Sequence, residues 1–211
     1  MRTVIKGPEP ASLIRYRHTP NASYDDYTDK RVLREHLAKE QRGLCCYCLS
    51  RITPQYDKMK VEHWHPQSAY PDEQLDYANL LGACRGNVGQ PHRNQHCDAS
   101  KGAQVLSRNP ANPDHRVGEM VEFSADGTIL CSTNQDFNRD LNCVLNLNLP
   151  FLKNNRKACL DSLLHEYQRC EPSRATMEKW LRDCNGDSHG GDLEPFCQVI
   201  VYWLRKKLAR P

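Results

Sequence analysis

Apolar positions fall into two helical regimes separated by a stretch with no long period. In residues 30–41, Val32, Leu33, His36 and Leu37 share one helical stripe that stops at Gly43, predicting a helix with a glycine terminator. Beyond Pro150, Leu160, Leu163, Leu164 and Tyr167 recur at helical spacing. Ser173 is placed to cap a second helix bearing Met177, Trp180 and Leu181. Pro195 marks the start of a third, with Phe196, Val199, Ile200, Trp203 and Leu204. These three amphipathic helices form a packing module. Residues 44–102 instead are rich in Gly, Asn, His and Cys, with short strands expected at 60–63 and 79–81 and a helix from about Asp98. Residues 119–123 and 128–131 flank Asp126-Gly127, a hairpin signal in which glycine supplies a positive φ.

The expected fold class is therefore α+β, mainly helical, with a small zinc-stabilised core and an appended β-hairpin. Four segments follow: an N-terminal arm and helix (1–43), a metal-organised core (44–102), a hairpin and connecting segment (103–150) and a C-terminal helical module (151–211). No internal repeat breaks this order.

At 211 residues the chain can bury a real core, and its net charge of +3 is weak for a protein that grips a duplex unaided. Any nucleic acid would therefore be held partly by a partner, unless the charge is clustered. The opening MRTVIKGPEP has no apolar stretch resembling a signal peptide, and no apolar run approaches a membrane span. The expected location is cytoplasmic, with no membrane partner. In a reducing compartment the eleven cysteines are not a disulfide scaffold, and Cys45-x-x-Cys48 reads as a metal-binding pair.

Two residues between thiols let a turn aim both sulfurs at one ion, so Cys45 and Cys48 are preferred over Cys46 as ligands. Cys84 and Cys97 complete a set for structural zinc, while Cys131, Cys143, Cys159, Cys170, Cys184 and Cys197 read as buried thiols within hairpin or helix patterns. Glu62 and His63 lie on a strand between the two thiol pairs, where alternation sends neighbours to opposite faces, so acting together requires a twisted or irregular backbone.

The run Cys45-Cys-Tyr-Cys48, Val61-Glu-His-Trp-His-Pro66, Asn79-Leu-Leu, Cys84 and Cys97-Asp-Ala-Ser-Lys-Gly102 resembles the HNH, or ββα-metal, endonucleases. The resemblance makes residues 44–102 an HNH nuclease core in which His63 is the general base, Glu62 and Asp98 hold a catalytic Mg²⁺ or Mn²⁺, and Asn79 steadies the loop carrying His63. Asp98 stands where the family usually has His or Asn, and His65, His92 or His96 is an alternative further ligand. Arg85, Arg93 and Lys101 are candidate nucleic-acid contacts, against plain solvated side chains.

Outside the core, the arm with Pro10, Leu13 and Tyr16, the run Glu40-Gln-Arg-Gly-Leu-Cys45, and Leu145-Asn-Leu-Asn148 with Leu152 and Arg156 look like the HNH proteins of Septu and retron anti-phage systems, the PtuB-like family. That likeness implies a toxic effector that cuts DNA phosphodiester bonds to a 5′-phosphate and a 3′-hydroxyl. Its implied partners are a PtuA-type ATPase of the ABC/SMC class and, in retrons, a reverse transcriptase with its RNA-linked DNA. Two other readings stand beside it: an RNA endonuclease acting on substrates such as tRNA, and a non-catalytic zinc-stabilised binding module.

Overall fold

The computed structural model describes residues 1–188 and 190–210. A short helix α1 (Ala11–Arg17) occupies the arm, where none was expected, with Pro10 as its N-cap. Helix α2 (Lys30–Glu40) buries Leu33, Leu37 and Ala38 and ends as anticipated at Gly43, whose φ of 72° lets its N–H close back on the Ala38 carbonyl at 2.8 Å.

Strand β1 (Met59–His63) pairs antiparallel with β2 (Leu80–Cys84), in a register that sets Glu62 opposite Leu81 and His63 opposite Leu80. The second strand starts later than predicted, and Asn79 sits just ahead of it in a 3₁₀ turn, Tyr77–Asn79. Every β2 residue is buried, so its free edge needs partners other than water. Gln41 supplies them: its side-chain amide accepts from Gly82 N–H at 2.6 Å and donates to the Gly82 carbonyl at 2.7 Å, imitating a third strand at the end of α2. Helix α3 (Asp98–Lys101) is a single turn, shorter than a packing helix because its task is to carry two side chains.

In the next segment, residues predicted to begin a strand form a helical turn, α4 (Val117–Met120). The hairpin that remains pairs only β3 (Glu122–Phe123) with β4 (Ile129–Leu130). Gly127, at φ 83°, is required because a Cβ there would collide with the Lys153 carbonyl. Helix α5 (Gln135–Arg139) runs on into a π-helical turn, Asp140–Val144. Asn148 then repeats the Gln41 device, its amide donating to the Ile129 carbonyl and accepting from Ile129 N–H, each at 2.9 Å.

The C-terminal helices are α6 (Pro150–Cys170), α7 (Arg174–Asn185) and α8 (Cys197–Leu208). Ser173 caps α7 as predicted, accepting from Thr176 N–H at 3.2 Å. Helix α8 starts two residues after Pro195 and buries Val199, Val201 and Leu204, whereas α7 lies at the surface with no fully buried residue. Arg156 of α6 is buried and donates to the carbonyls of Gly127 and Leu147, tying the helix to the hairpin. One contiguous core runs from Met1 to Val199 and includes the four candidate zinc ligands. Among the remaining cysteines, Cys131 and Cys197 are buried as expected, but Cys143 and Cys170 are exposed because they fall on the outer faces of their helices. No described helix is long and apolar enough to cross a membrane.

Candidate metal centre and adjoining cleft

The backbone between α2 and β1 doubles back at Leu49, a residue in left-handed conformation, and aims the Cys45 and Cys48 sulfurs inward. Cys84 ends β2 and Cys97 directly precedes α3. All four sulfurs lie within 4.8 Å of one another and all four residues are buried. A tetrahedral Zn–S bond of about 2.3 Å sets the sulfurs about 3.8 Å apart. The spacings of Cys45 to Cys97, 3.9 Å, and Cys48 to Cys84, 3.7 Å, fit that figure and are far too long for disulfides.

Packed this closely, the thiols resist ionising together: burial pushes Cys97 well above the ordinary thiol range, and the sulfurs around it add to the effect. A divalent ion would remove the conflict by stabilising all four as thiolates. Outer partners for sulfur are already in place. The Cys84 N–H points at Cys45 Sγ at 3.3 Å, Ser50 Oγ lies 3.1 Å from Cys48 Sγ, and His96 Nδ1 lies 3.1 Å from Cys97 Sγ. His96 therefore belongs to the surroundings of the cage.

Next to the cage, Glu62, His63 and Asp98 border one open cleft of about 540 Å³. His63 is the last residue of β1, where the strand gives way to the turn at Trp64 and His65, so Glu62 and its neighbour reach the same cavity despite strand alternation. His63 Nε2 lies 3.0 Å from the Gln74 carbonyl. A carbonyl only accepts, so Nε2 carries the proton and Nδ1 keeps its lone pair. Burial, assisted by the Lys101 charge, lowers the imidazole pKa against the pull of that carbonyl and of Asp98 and Asp25, so the neutral ring is favoured.

Asn79 holds the loop that supplies this carbonyl. Its Oδ1 accepts from His65 N–H at 2.7 Å and its Nδ2 donates to the carbonyls of His65 and Glu73 at 3.1 and 3.2 Å. The amide thus pins both ends of the excursion between His65 and Glu73.

Glu62 is 2% exposed and takes two hydrogen bonds on Oε1, from Tyr47 Oη and Lys101 Nζ, each at 2.8 Å. Burial pushes its carboxyl well above the usual range, the neighbouring Asp98 adds to this, and Lys101 opposes it. Burial alone would raise Asp98 too, but hydrogen bonds from Glu62 and from Lys60, whose Nζ lies 2.5 Å from Oδ2, hold it below the usual range. The two carboxyls thus pull each other's ionisation in opposite directions, as adjacent carboxyls do.

Lys101 corrects the sequence reading. It is 1% exposed, and its ammonium is committed to Glu62 and, at 2.9 Å, to the His63 carbonyl, so it is an internal brace and not a surface or phosphate-facing lysine. Arg85 does border the cleft, while Arg93 lies outside it on an exposed turn. His65 is engaged by Glu73 at 2.6 Å and stacks on Tyr70, and His92 faces the Ser100 carbonyl, so neither joins the carboxyl pair. Tyr47 and Lys60 are the residues sequence reasoning missed. Lys60 was readable, since it shares a strand face with Glu62; nothing in the sequence pointed Tyr47 at a carboxylate.

Fold and site together define an α+β protein with a buried four-cysteine cluster suited to a metal ion such as zinc. No family model and no curated protein matches the chain.

Proposed function

We propose that this protein is a metal-dependent endonuclease of the HNH, or ββα-metal, type, hydrolysing phosphodiester bonds in DNA. One observation carries the reading: His63 and the Glu62–Asp98 pair border a single cleft, on two strands and a helical turn beside the four-cysteine cluster. Glu62 and Asp98 are suited to hold Mg²⁺ or Mn²⁺, which binds through one or two carboxylates and, when bound, neutralises charge developing on the phosphate and the departing oxygen.

His63 Nδ1 takes the proton from the attacking water while the Gln74 carbonyl steadies the imidazolium through Nε2. Asn79 fixes the loop behind that carbonyl, and Lys101 holds the Glu62 carboxyl and the His63 backbone in register. From the likeness to PtuB-like proteins, we extend the proposal to a cytoplasmic effector of a Septu or retron defence complex working with a PtuA-type ATPase.

The test is cleavage of end-labelled DNA and RNA in Mg²⁺ or Mn²⁺, by the chain alone and with that ATPase. DNA is expected to be cut to 5′-phosphate ends, and His63→Ala is expected to lose about 10²- to 10⁴-fold in rate with zinc content and melting temperature unchanged. Undiminished cutting by that variant removes His63 from the mechanism, and cleavage of RNA alone moves the substrate to RNA.

A further inference from the structure

Tyr56 is an aromatic side chain left 74% exposed on the turn that leads into β1, at the border of the same cleft as Glu62, His63 and Asp98. Its surroundings are cationic. The guanidinium carbons of Arg34 and Arg85 lie 5.9 and 5.7 Å from the ring centroid, near enough to favour the π face yet leaving most of the ring open. Arg34 is fixed there, because its Nε donates to the Pro54 carbonyl of the same turn at 2.9 Å. Deeper in the cleft the pairing recurs: Lys30 Nζ sits 4.9 Å from the Tyr24 ring, which meets His63 edge-on at 4.5 Å.

Charge separates these cations from the others in the cleft. Lys60 and Lys101 are neutralised by Asp98 and Glu62. Among the described residues, no ion pair involves Lys30, Arg34 or Arg85, although the chain as a whole carries only +3. Positive charge is thus concentrated beside Tyr56, whereas near Tyr24 the Asp25 carboxylate offsets Lys30, whose ammonium also donates to the Asp25 carbonyl at 2.8 Å.

We infer that the cleft takes single-stranded nucleic acid, with a base stacked on Tyr56 between Arg34 and Arg85 and the adjoining phosphate led toward His63. The inference deepens the nuclease reading and rests on it for the phosphate's destination. Stacking needs a free base face, and in a duplex both faces of each base are covered by neighbours. An aromatic ring flanked by unpaired cations is the combination that holds single strands with little regard to sequence, since every base has a π face. The cleft, about 540 Å³, lies in the range of those that enclose a small ligand, room enough for one nucleotide. The weak net charge agrees as well, because a duplex gripped through its phosphates calls for many cations.

The test is fluorescence anisotropy on the full-length chain in the His63→Ala background, with Mg²⁺ present, using labelled mixed-sequence single-stranded DNA, single-stranded RNA and the matched DNA duplex. Tyr56→Ala is expected to weaken single-strand binding by roughly 5- to 150-fold, and Tyr56→Phe to stay within about twofold of the parent. The duplex should bind more weakly than either strand and ignore both changes. Tighter binding of the duplex, an unchanged single-strand affinity in Tyr56→Ala, or equal losses in the Ala and Phe variants would overturn the inference. Circular dichroism melts confirm that each variant is folded. If no substrate is cut by the wild type yet the Tyr56-dependent binding persists, the nuclease reading fails and this one stands; cleavage confined to duplex DNA and indifferent to Tyr56 does the reverse.

Discussion

The sulfur cage and the carboxyl cleft are built on the same two strands, yet on opposite terms. The cage is closed: four sulfurs, none on a residue more than 8% exposed, with further hydrogen bonds aimed at them. The cleft is open, bordered by two carboxyls, an imidazole and cations that form no ion pair among the described residues. The contrast teaches an order of dependence. Residues 97 and 98 are consecutive but serve different sides: Cys97, at φ 54°, turns its sulfur inward and Asp98 opens α3 facing the cleft. The cleft inherits its geometry from the cage, and little passes the other way.

The largest effect is expected at Cys48. A structural zinc contributes about 10–16 kcal/mol to small folds, and Cys48→Ala removes one of four sulfurs from a residue in the contiguous core. Metal analysis is expected to show zinc falling from one per chain to near none, with loss of the cooperative melt and of activity. Full zinc occupancy with an unchanged melt would remove Cys48 from the cage and end the order of dependence argued here.

A middling effect is expected at Lys101. Lys101→Met keeps the stem's packing but leaves Glu62 buried without its cation and frees the His63 carbonyl. Breaking a buried pair on one side costs about 3–5 kcal/mol. Urea unfolding reads it directly. Zinc content should remain at one per chain, since the substitution lies on the cleft side; loss of zinc would show that the cleft supports the cage after all.

Much of this was legible beforehand, and what was not has physical causes. Thiol spacing identified the cage because tetrahedral sulfur ligation constrains a C-x-x-C turn strongly. Helical periodicity located α2, α6, α7 and α8, each long enough to show a stripe. The seven-residue α1 and the four-residue α4 lack that length, and α4 took residues whose pattern suggested a strand, whereas α3 begins at Asp98 as expected but is a single turn. Burial was the harder property. Lys101 looked like a surface lysine because its partners, Glu62 and the His63 carbonyl, are 38 or more residues away in the chain. Cys143 and Cys170 looked buried because cysteine usually is, yet both stand on outward faces.

The smallest change probes the comparison most finely. Tyr47 lies inside the Cys45-x-x-Cys48 turn, fully buried, and its hydroxyl donates to Glu62 Oε1 at 2.8 Å. It is the direct strut from the sulfur side to the carboxyl side. Tyr47→Phe keeps the ring and deletes that one bond, costing about 1.5–3 kcal/mol as a hydrogen bond to a charged acceptor, less to the extent that Glu62 is protonated. If the strut positions Glu62 for a divalent ion, the Mg²⁺ concentration for half-maximal cleavage should rise several-fold, while rate at saturating Mg²⁺ and zinc content hold. A fall in rate at every Mg²⁺ concentration, with the half-maximal value fixed, would mean that Tyr47 merely fills space, and that the two sides communicate through the Cys97-Asp98 junction alone.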